Sequence, residues 1–359
     1  MRKESTTYIP ETFEKHAFQD ALIDWYLTIR RDLPWRENQD PYRVWVSEIM
    51  LQQTRVDTVI PYFNAFMERF PTVEALASAD EQDVLKAWEG LGYYSRARNL
   101  HSAVKEVVST YNSQIPTEKT ELKKLKGIGP YTLGAIMSIA YDEPVPAVDG
   151  NVKRVMSRIF EIYENIADQK TKKIFEQVVG AVISHEDPSS FNQGLMELGA
   201  LICTPKKPKC QECPVAEFCL AYEKGVQEEL PVKTKAKKQK MKAYFAMVME
   251  KDGAYFIQKR PSEGLLANLW EFPLIPQDEF LQKEAIQFTE FEYDVELEVM
   301  KEGEPVKHIF SHVIWEVHPI FCRVVGGKVN EELGQFVSLD EIAEYPLPNV
   351  QHKIKKQIT

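Results

Sequence analysis

Four cysteines, Cys203, Cys210, Cys213 and Cys219, fall within 17 residues in the spacing C-x6-C-x2-C-x5-C. Four thiols gain little from such crowding unless they hold a metal centre, so this segment has to close on itself wherever it lies. Zinc ribbons usually present two C-x2-C pairs on separate knuckles. One loop with a single close pair suits a cubane better, because each of its four irons needs one thiolate. The spacing therefore favours [4Fe–4S] and leaves zinc as the alternative. Lys206, Lys207 and Lys209 lie inside the loop, which gives the metal a structural role in aiming cations at a polyanion. The fifth cysteine, Cys322, stands in an apolar run and reads as a core thiol. The segment Met1-Arg-Lys-Glu-Ser-Thr-Thr has no apolar secretory core, so a cytoplasmic protein with reduced cysteines is expected.

At 359 residues the chain can hold two domains of roughly 100–200 residues each. Its 44% hydrophobic and 27% charged residues are globular proportions and exclude wholesale disorder. No run reaches the about 18 apolar residues of a membrane span. The net charge of −10 is unevenly spread. Residues 243–359 hold 11 Lys and Arg against 20 Asp and Glu, leaving 33 against 34 for residues 1–242. The acid excess sits in the last third, and the first two thirds are free to present a basic face.

From Phe18 to Tyr222 the chain reads as successive helices. Asp40-Pro41 has the form of an N-cap with proline at the first helical position, opening a helix that carries Val44, Val46, Ile49, Met50 and Val56. Ser95 is placed to cap another, with a stripe of Leu100, Ala103, Val104, Val107 and Val108. Lys233–Lys242 has six lysines in ten residues and reads as a solvated linker, with phosphate contact as the sharper alternative. Beyond it, Tyr244–Met249 and Ala254–Gln258 flank Lys251-Asp-Gly253, a hairpin signal. A further strand is expected through His308–Trp315, followed by Phe321–Val325. This second domain reads as α+β on a mixed or antiparallel sheet.

Three features point to chemistry. Leu122–Ile136 offers two helical pieces around Gly127-Ile-Gly129, where glycine permits a tight turn and close backbone approach. Pro130 then opens a helix whose free N–H groups suit a phosphate. Glu48 stands among Trp45, Val46, Ile49, Met50 and Leu51, apolar company that raises a carboxyl's pKa and suits a proton donor. Asp149, just before the helix begun by Asn151-Val-Lys-Arg154, reads either as an ordinary N-cap or as the anion beside an oxocarbenium-like sugar. Cleavage of a glycosidic bond needs one acid and one such anion.

Together these residues resemble the helix–hairpin–helix DNA glycosylases that bear an iron–sulfur loop, and within them the MutY-type adenine DNA glycosylases. The matching pieces are Leu33-Pro-Trp-Arg36, Trp45-Val-Ser-Glu-Ile-Met-Leu-Gln-Gln-Thr54, Leu91-Gly-Tyr-Tyr-Ser-Arg-Ala-Arg98, Gly127–Gly129, Val148-Asp-Gly-Asn-Val-Lys-Arg154, Phe191-Asn-Gln193 and the cysteine loop. They span nearly all of residues 20–222. The resemblance implies an all-α glycosylase domain over 1–225, with the hairpin at about 120–140 and the iron–sulfur loop at 203–219. A Lys-rich linker follows over 226–242, then a NUDIX-like α+β domain over 243–359.

The resemblance also implies roles. Glu48 is the acid that protonates adenine and later handles the water; Asp149 steadies the cationic sugar, and a transient covalent bond is one route. Tyr131 and Asn151 support that pair. Arg31, Trp35, Leu51, Thr54 and Gln193 line the pocket for the extruded adenine, while Gln53 and Tyr93 wedge into the DNA stack as a base is flipped. Gly127 and Gly129 hold a phosphate. Relatives that nick the strand carry a lysine two residues after the second hairpin glycine as Schiff-base nucleophile; here it is Tyr131, which implies a monofunctional enzyme leaving an abasic site.

The C-terminal part resembles, more weakly, the family's damage-reading domain. Gly264–Pro273 fits it, the glutamate-rich R-E-x-x-E-E of active pyrophosphatases is absent, and Phe310-Ser311-His312 matches the loop that reads 8-oxoguanine. The expected partner is double-stranded DNA with A opposite 8-oxoguanine or G, bound by a monomer. A related enzyme for a mismatched thymine is disfavoured by Gln193 and the appended domain. A non-catalytic damage marker is disfavoured by the presence of both Glu48 and Asp149.

Overall fold

The computed structural model describes residues 8–234 and 238–358. By contacts the chain divides into two compact units, Met1–Ala77 with Ser102–Lys235 and Ser78–His101 with Ala236–Thr359. Helices in chain order are α1 (Lys15–Ile29), α2 (Pro41–Leu51), α3 (Val56–Arg69), α4 (Val73–Ser78), α5 (Glu81–Ala87), α6 (Ser95–Thr110), α7 (Lys119–Leu122), α8 (Pro130–Tyr141), α9 (Gly150–Ile159), α10 (Gln169–Val182), α11 (Pro188–Leu201) and α12 (Leu220–Glu223).

Helices α2, α9 and α11 start where the sequence supplies an acceptor. Asp40 accepts from Tyr42 N at 2.8 Å, Asp149 from Val152 N at 2.7 Å and Asp187 from Ser190 N at 2.8 Å, each satisfying an otherwise unpaired donor. Asp187-Pro188 repeats the Asp40-Pro41 device. A core of Phe18, Leu22, Val152, Met156, Phe175, Phe191 and Leu195 packs α1, α9, α10 and α11 together. Two local expectations change. Val56 belongs to α3, because Gln53 turns into the left-handed region (φ 60°) and ends α2 at Leu51. The first piece of the hairpin is one turn, α7; the backbone then passes through turns to Gly127 before α8.

The second unit is built on β1 (Lys240–Lys251), β2 (Ala254–Lys259), β3 (Trp270–Glu271), β4 (Leu274–Pro276), β5 (Val295–Glu302), β6 (Val306–Ile309), β7 (Val313–Gly327) and β8 (Gln335–Ser338), with α13 (Gln282–Tyr293) and α14 (Asn349–Lys355). The sheet runs β3-β2-β1-β7-β5; β1 and β7 pair in parallel and the remaining pairs are antiparallel. Ala246 and Val248 face one core with Trp315, Val350 and Ile354, while Met247 and Met249 face another with Ala285, Tyr293 and Cys322. Both faces of β1 are covered, which explains its continuous apolar run. The hairpin turn Asp252-Gly253 has φ of 53° and 82°, as a two-residue turn of this hand requires.

His308–Trp315 is not one strand. Phe310 N donates to Val313 O at 2.9 Å and closes a tight turn, so β6 and β7 are antiparallel neighbours with Ser311 and His312 at the tip. The end of the lysine-rich stretch, Lys240–Lys242, is already strand, paired with Val313–Trp315; residues 235–237 lie outside the described part. Residues 78–101, which the sequence groups with the helices, cluster with the sheet. Trp270 Nε1 donates to Gln82 Oε1 at 2.9 Å and Arg98 to Ala267 O at 2.8 Å.

Candidate active site

Trp45, Val46, Ile49 and Met50 bury α2, and Glu48 goes in with them at 6% exposure. Tyr131, in the first turn of α8, donates its hydroxyl to Glu48 Oε2 at 2.5 Å. Burial pushes the Glu48 carboxyl up to about 7; the Tyr131 bond and the Arg36 charge pull it down and Asp149 adds to the rise. Tyr131 itself is held well above its usual value by burial and by the two carboxylates, so it stays a neutral donor.

Asp149 is the N-cap of α9, and its second oxygen, Oδ2, accepts from Asn151 Nδ2 at 3.0 Å. The N-cap reading of Asp149 is thus the observed one, and it leaves Oδ2 with the Asn151 contact. Burial raises its carboxyl, while the amide N–H groups of Val152 and Asn151, the Arg154 charge and the Asn151 side chain pull it back. The strand of chain before it is fixed by Asn192, fully buried, which accepts from Ala147 N at 3.2 Å and donates to Val145 O at 2.9 Å. Two helix glycines admit this segment. A Cβ on Gly134 would lie 2.0 Å from Pro146 O, and one on Gly199 would lie 2.6 Å from the Asn151 Cβ.

Glu48, Asp149, Tyr131, Asn151, Arg31, Trp35, Leu51, Thr54 and Gln193 all line one cavity of about 190 Å³. Sequence reasoning missed a polar wall of the same cavity. Glu197, 2% exposed, pairs with Arg31 at 3.0 Å and Arg36 at 2.9 Å. Arg36 and Tyr26 both donate to Gln193 Oε1 at 2.9 Å, which leaves the Gln193 amide group pinned. A signal for Glu197 existed: it stands among Leu195, Met196 and Leu198, the same kind of company that singled out Glu48.

At the hairpin, Gly127 has φ 86°, and Gly129 is the N-cap of α8 with open space where a Cβ would stand. Lys123 and Lys126 are exposed beside it, while Lys124 is paired with Glu121 at 2.6 Å. Gln53 is exposed on its left-handed backbone.

All four cysteines of the loop line one pocket, with Arg158, Val155, Leu198 and Val215 in its wall. Among the described residues no three His, Cys, Asp or Glu side chains are grouped to hold a single metal ion; the four cysteines share one pocket wall. A cubane, with one thiolate per iron, fits that set of donors. Burial pushes the Cys213 thiol up to about 12 and Cys219 to about 11, so metal must displace these protons on binding. Arg158 Nη1 donates to Cys203 Sγ at 3.2 Å.

In the second unit, Tyr93 follows Gly92 (φ 71°) and is itself left-handed at φ 49°, half exposed. A bulky residue in that region costs about 1–3 kcal/mol and such strain gathers at functional sites. Its hydroxyl lies 3.0 Å from Ser311 Oγ. Tyr93, Phe310, Ser311 and His312 line one cavity with Arg98 and Leu265. Phe310 is held edge-on against Trp315 at 5.0 Å, leaving Ser311 and His312 exposed.

Residues 46–181 match the HhH-GPD superfamily of base excision DNA repair proteins, 203–219 the iron–sulfur binding domain of endonuclease III, and 244–357 the NUDIX domain. An adenine DNA glycosylase of Buchnera aphidicola is 36% identical over 347 residues, covering 94% of this chain and 98% of that one. The human adenine DNA glycosylase is 35% identical over 361 residues, covering 84% and 66%. Among solved structures, a thermostable thymine-DNA glycosylase superposes with TM-score 0.54 at 28% identity, over 58% of this chain and 97% of its own. Endonuclease III, trapped as a covalent intermediate with DNA, shares the fold at TM-score 0.50 and 20% identity, over 62% and 99%.

Proposed function

The chain belongs to the adenine DNA glycosylases, and on that footing we propose which of its residues carry the excision and which base pair it reads. It is a hydrolytic N-glycosylase of base excision repair with a helix–hairpin–helix domain and a [4Fe–4S] cluster on the cysteine loop. Cys203, Cys210, Cys213 and Cys219 are the ligands, and the bound cluster fixes the loop that presents Lys206, Lys207 and Lys209.

The observation that carries the mechanism is a buried, Tyr131-bonded carboxyl titrating near neutrality in one cavity with a second carboxylate. Glu48, protonated, gives its proton to the adenine as the glycosidic bond breaks and the base departs with the bonding electron pair. Asp149, ionised, faces the sugar as it becomes oxocarbenium-like; Asn151 and the α9 amides keep that anion in place. Glu48, now a carboxylate, takes a proton from the water that adds to the sugar carbon. Arg31, Trp35, Leu51, Thr54 and Gln193 receive the flipped base, Gln53 and Tyr93 fill the stack it leaves, and Gly127 and Gly129 seat a backbone phosphate. Tyr131 offers no amine, so the strand stays intact.

The partner base is 8-oxoguanine or G, read by Phe310, Ser311 and His312, and the enzyme works as a cytosolic monomer. The contact between Tyr93 and Ser311 supports this reading, since it joins a strained wedge to the reading turn within one unit. Single-turnover incubation with duplexes carrying A opposite 8-oxoguanine, A opposite G and T opposite G tests it, each product run with and without alkali. Breaks only after alkali, fastest for A opposite 8-oxoguanine, are the expected outcome. Breaks without alkali overturn the monofunctional assignment, and equal rates opposite 8-oxoguanine and G overturn the reading turn.

A further inference from the structure

The cluster pocket holds two polar side chains that ligation itself does not use. Arg158 is 1% exposed. Its guanidinium donates to Leu230 O at 2.9 Å, Thr204 O at 2.8 Å and the Cys203 sulfur at 3.2 Å, partners that carry no carboxylate. Gln227 lines the same pocket, and among the described residues its Oε1 is shielded from solvent without a hydrogen bond. A buried cation without an anion and a shielded amide oxygen without a hydrogen bond are both costly. Both costs are offset when thiolates and sulfides fill the pocket. The bound centre would be a net anion beside Arg158, and the Gln227 amide, whose oxygen and NH2 can exchange places by a half-turn, has a donor to offer within the same pocket wall.

We propose that Arg158 and Gln227 form the cluster's outer hydrogen-bond shell, with Arg158 the buried counter-charge and donor to Cys203 and Gln227 a second donor, together setting the cluster's reduction potential and its retention. This rests on the four cysteines holding the [4Fe–4S] cluster. Net charge, hydrogen bonds to sulfur and burial are the levers on such potentials. An added electron deepens the negative charge, so a fixed cation and N–H donors favour the reduced form and raise the potential.

Arg158 also braces the loop through carbonyls, so the test has to separate the two roles. Whole wild-type protein is compared with Arg158→Lys, Arg158→Gln and Gln227→Leu for iron and sulfide content, circular dichroism, cluster midpoint potential and the rate of bleaching by a chelator. Arg158→Gln is expected to shift the potential negative and to bleach several-fold faster. Arg158→Lys, which keeps the charge and loses the planar fork, falls between. Gln227→Leu shifts the potential negative by less, with wild-type iron content and circular dichroism. If Arg158→Gln fails to load, Arg158→Lys and Gln227→Leu decide. A brace alone would lower loading and leave the potential of the loaded fraction at the wild-type value, and that result overturns the proposal. A wild-type protein without iron would instead overturn the cluster assignment beneath it.

Discussion

Tyr131 donates to Glu48 from a position 83 residues away in the chain, and this bond opposes the rise that burial imposes on the carboxyl. Burial wins, leaving the group near 7. A general acid has to be protonated, so excision is expected to fall as pH rises through about 7. Tyr131→Phe removes the bond that favours the charged form, so its falling limb moves to higher pH. Single-turnover pH profiles of both proteins check this. A limb that stays put, or moves down, removes Glu48 as the acid.

The same carboxyl is a cost to the fold. Its value in the folded chain is about 7 against an ordinary 4.5, so the folded protein retains a proton that the unfolded chain gives up between those values. The contribution is fully favourable below 4.5 and is lost as pH rises through about 7, to a total on the order of 3 kcal/mol. Glu48→Gln is expected to lose about 10²–10⁴-fold in base release yet to melt higher than wild type at pH 8. The gap should close toward pH 5. Thermal unfolding at both pH values, with DNA binding as a control, tests the pair of effects; a variant less stable than wild type at pH 8 contradicts the burial argument.

Asp149 caps α9, and the role proposed for it in the reaction uses a different part of its chemistry. Asparagine caps a helix about as well as aspartate, but it cannot offer a negative charge to a cationic sugar. Asp149→Asn should therefore unfold within a few degrees of wild type while excision drops by about two orders of magnitude or more. An active variant would reduce Asp149 to its cap.

Gly134 sits where α8 touches the chain leading into Asp149. Alanine is normally the better helix former by about 1 kcal/mol, but here its Cβ would meet the Pro146 carbonyl oxygen at 2.0 Å and carbon at 2.5 Å. Backbone atoms cannot swing aside as a side chain end can. Gly134→Ala is expected to cost about 3 kcal/mol or more and to slow excision by shifting Asp149. A rise in melting temperature would show that the segment yields freely.

What could be read in the sequence was local. Glu48 and Asp149 stood out because each had unusual neighbours within a few residues, and the caps at Asp40 and Asp149 are written in three letters each. The pairing of Arg31 and Arg36 with Glu197 joins positions over 160 residues apart, which no spacing rule reaches. The end of α2 escaped notice because Gln53, with no glycine or proline beside it, adopts a left-handed backbone; the pattern of apolar residues runs on through Val56 as if nothing intervened. The break between β6 and β7 was hidden because the turn residues Ser311 and His312, neither glycine nor proline, are flanked by Ile309-Phe310 and Val313-Ile314, so the run reads as one strand. The grouping of residues 78–101 with the sheet depends on contacts such as Glu89 with His352 and the Leu347 amide, again invisible to periodicity.

Ser311 gives the sharpest test of the reading turn. Its hydroxyl is 3.0 Å from that of Tyr93 and exposed at the tip between β6 and β7, so removing it disturbs no core packing. If the turn reads the partner base as proposed, Ser311→Ala deletes one hydrogen bond to it, worth about 0.5–1.5 kcal/mol. Excision of A opposite 8-oxoguanine should fall by about two- to ten-fold, while excision of A opposite G keeps its rate. The ratio of the two single-turnover rates is the quantity to measure. If both fall together, Ser311 acts through Tyr93 on base flipping in general; if neither changes, the turn does not read the partner base.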